Sequence, residues 1–137
     1  MMRCFSTLLL LIVVLFCHAQ SLLNSSNILI GKIEQNGTVR DSNNKMIGKF
    51  ESGGDVRNQN NMKLGEIERD GTIRDYSNMM IGKVDKDGEV KDRNNMHIGR
   101  VKSDGTVVDR NNMTIGYAKD IPKAYAAVFF FFNLFEK

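Results

Sequence analysis

The feature that most constrains this chain is a 17-residue unit that it repeats five times in tandem. The copies align without a gap, and a sixth begins at Ile115-Gly116 and then breaks off. Self-similarity at a fixed period is typical of arrays whose units bury their apolar faces against neighbouring units. The five copies are residues 30–46, 47–63, 64–80, 81–97 and 98–114.

Each copy carries the pattern of a β-hairpin. We number its positions 1 to 17 from the leading isoleucine or leucine. Positions 4 and 10 are apolar in every copy and position 8 is glycine, and β-branched residues around Asn-Gly or Asp-Gly are typical of a hairpin. These residues are, at position 4, Ile33, Phe50, Ile67, Val84 and Val101; at position 8, Gly37, Gly54, Gly71, Gly88 and Gly105; and at position 10, Val39, Val56, Ile73, Val90 and Val107.

The length of the turn follows from the faces of the two strands. A two-residue turn at positions 7 and 8 would pair position 5, acidic in four copies, with apolar position 10. A three-residue turn at positions 6 to 8 pairs position 4 with position 10, because a shift of one residue moves every side chain to the other face. We therefore predict a three-residue turn whose glycine is left-handed, and a solvated outer face of mixed charge at positions 3, 5 and 11.

The remaining positions predict a second turn and a bend. Paired asparagines in positions 12 to 17, as in DRNNMH, favour a chain reversal. Positions 1 and 4 are both apolar although they lie three apart, so the glycine at position 2 is expected to let the strand bulge. The methionines at position 16 either fill gaps in the core or form a ring around a central apolar mouth. They are Met62, Met79, Met96 and Met113.

The two ends of the chain differ from the repeats. The start combines Arg3, an apolar run and Ala19, which predicts a signal peptide that is removed on export. A lipoprotein with a lipidated Cys17 is the alternative, although Phe16 is large for the preceding position. We divide the chain into a signal peptide (1–20), a loose polar N-terminal lead (21–29), a five-repeat β domain (30–116) and an apolar C-terminal segment (117–137).

The C-terminal segment is expected to pack on the repeats. Pro122 and the alanines that follow favour a short helix, whereas the four consecutive phenylalanines suit a buried strand equally well. We predict the helix. The segment is too short to cross a membrane as a helix.

Composition excludes several classes of function. Removal of residues 1–20 takes away both cysteines and His18, which excludes disulfides and zinc sites built from cysteine and histidine. The nearly balanced charge does not indicate nucleic-acid binding. The chain carries no phosphate-binding glycine loop and no nucleophile motif. We therefore expect a monomeric, exported, periplasmic or secreted protein that is not an enzyme, has no catalytic residues and no cofactor, and has an envelope protein or a glycan as partner.

Two groups of residues could bind a ligand, but in each the sequence favours a purely structural role. Asp85, Asp87 and Asp92 faintly resemble the start of a calcium loop, but the glycine comes too early and a turn alone explains Asp-Gly. His97 has no second metal-ligating or catalytic residue near it in sequence, and we interpret it as a surface histidine. No metal site is predicted.

The repeats at both ends lack polar caps, which favours closure into a ring over an open solenoid. With its tandem IGxhxxDGxhxDxxNNM units (h apolar), N-terminal signal and AAVFFFF tail, the chain resembles the secreted bacterial five-fold β-flower proteins. The resemblance implies an all-β fold of five hairpin petals closed around a pseudo-fivefold axis, and it carries no catalytic or ligand residues. The function that we expect is a structural or interaction module of the cell envelope. The alternative is a ligand- or ion-binding module, with calcium the first candidate, that uses the axis or the Asp-Gly turns.

Overall fold

A computed structural model describes residues 19–135. The predicted signal peptide lies outside the described residues except for Ala19 and Gln20. The described part of the chain forms twelve short strands and one helix. The strands are β1 (Ala19–Asn24), β2 (Leu29–Glu34), β3 (Thr38–Asp41), β4 (Met46–Phe50), β5 (Asp55–Asn58), β6 (Lys63–Ile67), β7 (Thr72–Asp75), β8 (Met80–Val84), β9 (Glu89–Asp92), β10 (His97–Val101), β11 (Thr106–Asp109) and β12 (Thr114–Tyr117), and the helix is α1 (Lys123–Phe131).

The strands form one closed antiparallel barrel in which each strand pairs with its neighbours in sequence. The ring closes between β12 and β1, where Tyr117 lies opposite Leu23 and Gly116 lies opposite Asn24. The predicted closure is confirmed. Closure pairs the two end strands of the described sheet with each other, so no unit needs a polar cap.

The ring contains six hairpins and not the five that the repeat count predicts. Five are complete copies, and the sixth joins β12 to β1, which come from opposite ends of the described chain. The expectation that residues 21–29 form a loose lead is wrong, because Ala19–Asn24 is a barrel strand. Leu22 stands 17 residues before Val39, at repeat position 10, and is likewise fully buried. The lead is therefore the second half of an interrupted sixth copy.

The predicted hairpin register is confirmed in all five copies. Position 4 lies opposite position 10, as in Ile33 opposite Val39 and Val84 opposite Val90. The glycines at position 8 have φ values between 92° and 106°, which only glycine adopts at little cost. Within the turn, the Gly88 N–H donates to the carbonyl oxygen of Asp85 at 2.9 Å. These five turns lie at one end of the barrel, which we call the glycine rim.

The asparagine-rich turns lie at the other end, which we call the asparagine rim. There are six of them, because the turn between β1 and β2 belongs to the same set. Each has an asparagine at position 15 with φ between 66° and 68°, a conformation that asparagine tolerates better than most residues. These residues are Asn27, Asn44, Asn61, Asn78, Asn95 and Asn112.

The glycine at position 2 accompanies a bulge, as predicted. Between β3 and β4 the register shifts so that Val39 pairs with Gly48 while Arg40 pairs with Met46, which leaves Ile47 unpaired. The same shift recurs in the other five equivalent strand pairs, for example between β5 and β6. The bulge brings the position-1 side chain toward the core together with the position-4 side chain, so Ile47 and Phe50 are both buried.

The helix α1 fills the interior of the barrel. Its consecutive residues Ala126, Ala127 and Val128 have no exposed surface, so the helix is buried on every face. Near its start, the Lys123 ammonium donates to the carbonyl of Lys86 at the glycine rim, at 3.2 Å. Nine residues span about 14 Å, which is close to the length of the strands around them. The predicted short helix is confirmed, and the alternative of a buried strand is wrong.

The segment Phe129–Phe135, which begins in the last turn of α1 and which we call the tail, places one apolar side chain against each of the six position-2 glycines. A Cβ atom on Gly31 would lie 3.2 Å from Cζ of Phe129 and 2.9 Å from the carbonyl oxygen of Arg40, and the other five positions are as tight or tighter. Consecutive apolar side chains of the tail meet consecutive glycines around the ring. The pairs are Gly31 with Phe129, Gly116 with Phe130, Gly99 with Phe131, Gly82 with Phe132, Gly65 with Leu134 and Gly48 with Phe135.

The outer wall carries the predicted mixed charges. Glutamates at position 5 pair with arginines at position 11, at 2.9 Å for Glu34 and Arg40 and 2.8 Å for Glu68 and Arg74. These groups are part-exposed, and such pairs contribute little to stability. They keep the outer surface polar.

Candidate functional site

The exposed large hydrophobic side chains of residues 19–135 all lie at the asparagine rim. Position 16 is apolar and 56–64% exposed in five of the six turns. Position 13 of one turn adds Tyr76, which is 77% exposed, and position 17 of the same turn adds Met80. The side chains at position 16 are Ile28, Met62, Met79, Met96 and Met113, and we call this set, with Tyr76 and Met80, the apolar rim cluster.

Backbone hydrogen bonds hold these exposed side chains in fixed turns. In the turn after β9, Oδ1 of Asp92 accepts from the N–H groups of Asn94 and Met96 at 2.8 and 3.0 Å. The Asp92 N–H donates to the carbonyl of Met96, and the Asn95 N–H donates to the carbonyl of Asp92. The same set recurs in the other five turns around Asn24, Asp41, Asn58, Asp75 and Asp109. The rim therefore presents apolar side chains on a rigid frame.

The methionines do not fill gaps in the core, so that interpretation is wrong. Met62 and Met113 are 62% and 64% exposed. The volume at this end of the barrel is occupied instead by the position-1 side chains and by the tail from Phe129 to Phe135. The core has no space left for position 16.

The charges at the two rims differ. Positions 13 to 17 of the six asparagine-rim turns contain no aspartate or glutamate and four basic residues, Lys45, Lys63, Arg93 and Arg110. Among the described residues, Lys63 pairs with Glu66 at 3.0 Å, whereas the other three form no salt bridge. Positions 5 to 9 of the glycine-rim turns are rich in acids, namely Glu34, Glu51, Asp55, Glu68, Asp70, Asp85, Asp87, Glu89 and Asp104.

One acidic cluster at the glycine rim has the composition of a cation site. Oxygen atoms of Asp85, Asp87 and Glu89 lie within 4.8 Å of one another. However, a hydrogen bond from the Glu89 N–H to Asp87 lowers the pKa of Asp87, with a further contribution from Arg100, whose guanidinium lies 3.5 Å from it. The Asp87 carboxylate is thus already stabilised as an anion by the protein itself.

Asp92 and His97, the two other residues considered in the sequence analysis, lie at different places relative to this cluster. Asp92 caps its own turn at the opposite rim and does not join the cluster. His97 lies 3.0 Å from Glu89 through Nδ1, and its side chain is 39% exposed, which agrees with its interpretation as a surface histidine. Glu89 was not included in this cluster in the sequence analysis. It stands two residues after Asp87 in the same hairpin turn, and that spacing could have identified it.

The interior of the barrel is occupied by α1 and the tail. A depression of about 880 Å³ at the asparagine rim lies between two turns and the end of the tail, lined by Leu64, Tyr76, Leu134 and Phe135. A second lies beside Ile30, Ile47 and Phe129. Both are open to solvent and end at the seated phenylalanines.

Comparison with known proteins now identifies the fold. A family model described as 5-fold beta-flower protein matches residues 19–134. The chain belongs to the 5-fold beta-flower protein family. The resemblance inferred from the repeats is confirmed. No curated protein and no solved structure matches the chain.

The residues that match the beta-flower family model include the strand β1, which the count of five repeats had left out. It begins at Ala19, the first residue of β1, and ends at Leu134, which seats against Gly65. Both the closing strand and the interior tail therefore belong to the family pattern. Among residues 19–135, no helix of this beta-flower is long and apolar enough to cross a membrane.

Sequence reasoning missed part of the beta-flower's apolar rim cluster. Ile28 was missed because the repeat was not extended toward the N-terminus, although it stands 17 residues before Lys45 at position 16. Tyr76 was missed because position 13 varies between copies. In the structure both are exposed beside the methionines.

Proposed function

We propose that this beta-flower is an exported, non-catalytic structural or interaction module of the cell envelope. The observation that supports the proposal is the apolar rim cluster, held on turns that the barrel and its interior helix keep in place. Exposed apolar side chains grouped at one end of a molecule are typical of an interaction surface. The interior is occupied by α1. At position 5, Glu34, Glu51 and Glu68 form ion pairs with arginines, and the aspartates at position 12 accept hydrogen bonds within their own turns.

Export is tested by fractionating cells that produce the full-length chain. We expect the protein outside the cytoplasm, with an N-terminus at Gln20 or Ser21 after removal of the signal peptide. Either start keeps Leu22 and the pairing between β1 and β2 around it. A product that remains in the cytoplasm with Met1 intact would contradict export, and one that begins at a lipidated Cys17 would contradict release.

The alternative function, a calcium-binding module, is favoured only by the Asp85, Asp87 and Glu89 cluster. Thermal unfolding of the protein in calcium and in EDTA separates the two functions. An interaction module predicts the same midpoint in both. A calcium-dependent increase that disappears in Asp87→Asn would favour the alternative.

A further inference from the structure

We infer that the asparagine rim docks on an anionic phospholipid surface. This inference rests on the proposed function and names the partner of the interaction surface. The apolar rim cluster would enter the boundary between headgroups and acyl chains, and the basic side chains around it would face the lipid phosphates.

Large exposed hydrophobic side chains are confined to one end of the described barrel. All seven large hydrophobic side chains that are exposed in residues 19–135 belong to the asparagine rim. Five of them repeat at the same turn position, so they surround the end of the barrel at equivalent places in their turns. Apolar side chains spread around one end of the barrel suit a partner with a broad, flat apolar surface better than a partner with a narrow groove. A bilayer interface is such a partner.

The charge around these hydrophobic side chains is positive. Positions 13 to 17 of the six turns carry only basic charges, whereas the aspartates at position 12 are part-buried and accept hydrogen bonds within their own turns. Lys45, Arg93 and Arg110 form no ion pair among the described residues. Lys45 occupies position 16 in the one turn whose side chain there is not apolar. Basic side chains beside exposed hydrophobic groups are the combination that binds anionic lipid, because the two attractions add.

A second copy of the chain fits this rim less well than a lipid surface does. Two asparagine rims facing each other would bring the basic side chains of one copy, including the unpaired Lys45, Arg93 and Arg110, toward those of the other. An asparagine rim on a glycine rim would match basic with acidic charge. However, the described part of the glycine rim exposes no large hydrophobic side chain to cover the methionines. An anionic lipid surface satisfies both features.

Vesicle sedimentation tests the inference on the protein produced from the full-length gene, after its N-terminus has been sequenced to show that the apolar signal is absent. The probes are vesicles of phosphatidylcholine alone and of phosphatidylcholine with phosphatidylglycerol. We expect binding to the anionic vesicles that weakens as salt is raised. Replacing Met62, Met79, Met96 and Met113 by serine should weaken it about tenfold or more.

Charge variants on the two rims provide a matched control. Lys45→Gln, Arg93→Gln and Arg110→Gln together should weaken vesicle binding about 100-fold, which is about fivefold for each charge. Arg69→Gln, Lys86→Gln and Lys102→Gln remove the same net charge from the glycine rim and should leave binding nearly unchanged. Equal losses in the two triple variants would overturn the inference. Thermal unfolding of each variant shows that the barrel remains folded.

A fluorescence probe reports which rim touches the lipid. The chain has no tryptophan. In Met96→Trp the emission should shift to the blue when anionic vesicles are added, whereas Ser103→Trp at the glycine rim should not respond. No shift at position 96, or an equal shift at both, would overturn the inference.

Two further outcomes separate this inference from the proposed function. Sedimentation velocity without vesicles that shows a dimer, abolished by the methionine-to-serine changes, would assign the rim to a second copy and overturn the lipid partner. An exported protein that binds no vesicle would overturn the lipid inference alone. Retention in the cytoplasm would overturn the proposed function itself.

Discussion

At the scale of single residues, position 8 of the hairpin turn is the least tolerant of a side chain. Gly88 has φ of 92°, and a Cβ there would press on the backbone of Val101. Gly88→Val should therefore lower the free energy of unfolding by about 2 kcal/mol or more. Lys86→Val, an exposed change two residues earlier in the same turn, should cost less than about 0.5 kcal/mol. Urea unfolding measures both, and equal losses would contradict the three-residue turn.

The aspartates at position 7 predict a dependence of stability on pH. Backbone N–H groups two residues later donate to Asp70, Asp87 and Asp104 and lower the pKa of each. Because the folded pKa is below the unfolded one, the stabilisation is present above about pH 4 and is lost as pH falls through the folded pKa. Changing all three to asparagine, which occupies this position naturally as Asn36, keeps the acceptor without the charge.

The measurement is the urea midpoint at pH 7 and pH 3. The parent protein should lose more of its midpoint on acidification than the triple asparagine variant. The same loss in both proteins would assign the acid sensitivity to other carboxylates. Asn36 already makes the equivalent bond to the N–H of Thr38 at 3.0 Å, so the substitution has a natural precedent in this chain.

At the residue scale, the sequence was sufficient to predict those contacts that depend on which face of a strand each side chain occupies. The pairing of positions 4 and 10 was predictable because a wrong register would bury acids. The exposure of Met96 was not, because it depends on which residues fill the end of the barrel. Those residues, Phe129 to Phe135, lie far along the chain, and no local pattern shows where they seat.

At the scale of elements, the contact between the tail and the ring of position-2 glycines predicts that a side chain at these glycines destabilises the protein. In Gly82→Ala the added methyl group would overlap the ring of Phe132 and approach the carbonyl oxygen of Lys91 at 2.6 Å. We expect a loss of about 1–3 kcal/mol in the free energy of unfolding. Gly53→Ala is the matched control, since no atom outside its chain neighbours lies within 4 Å and its φ is not positive. A similar loss at both glycines would contradict the seating.

The two elements outside the visible repeats were the ones that sequence reasoning described incompletely. The strand β1 was missed because it pairs at one edge with β12, at the far end of the described chain, and short polar segments carry little strand signal by themselves. The helix α1 was predicted from Pro122 and the alanines, but its place inside the barrel was not. That place follows from the number of strands, because twelve enclose more space than side chains alone can fill.

At the scale of the whole molecule, closure predicts that the copies act together. Deleting residues 64–80 would remove one hairpin and the Gly65 seat of Leu134 while leaving the tail its full set of apolar side chains. We expect the variant to lose its cooperative urea transition, because five hairpins cannot surround the same helix and tail. A cooperative transition with a proportionately smaller slope would instead indicate that the units contribute additively.

The seam between Leu23 and Tyr117 also determines when this protein can fold. The strand β1 is made before the other eleven strands, and its second neighbour β12 and the whole interior are made after the strands between them. Contacts between such distant segments form slowly, because the intervening chain must first be brought together. Until Phe135 has been made, the interior around which the hairpins pack is incomplete. We therefore expect the closed barrel to form only after the tail has been synthesised.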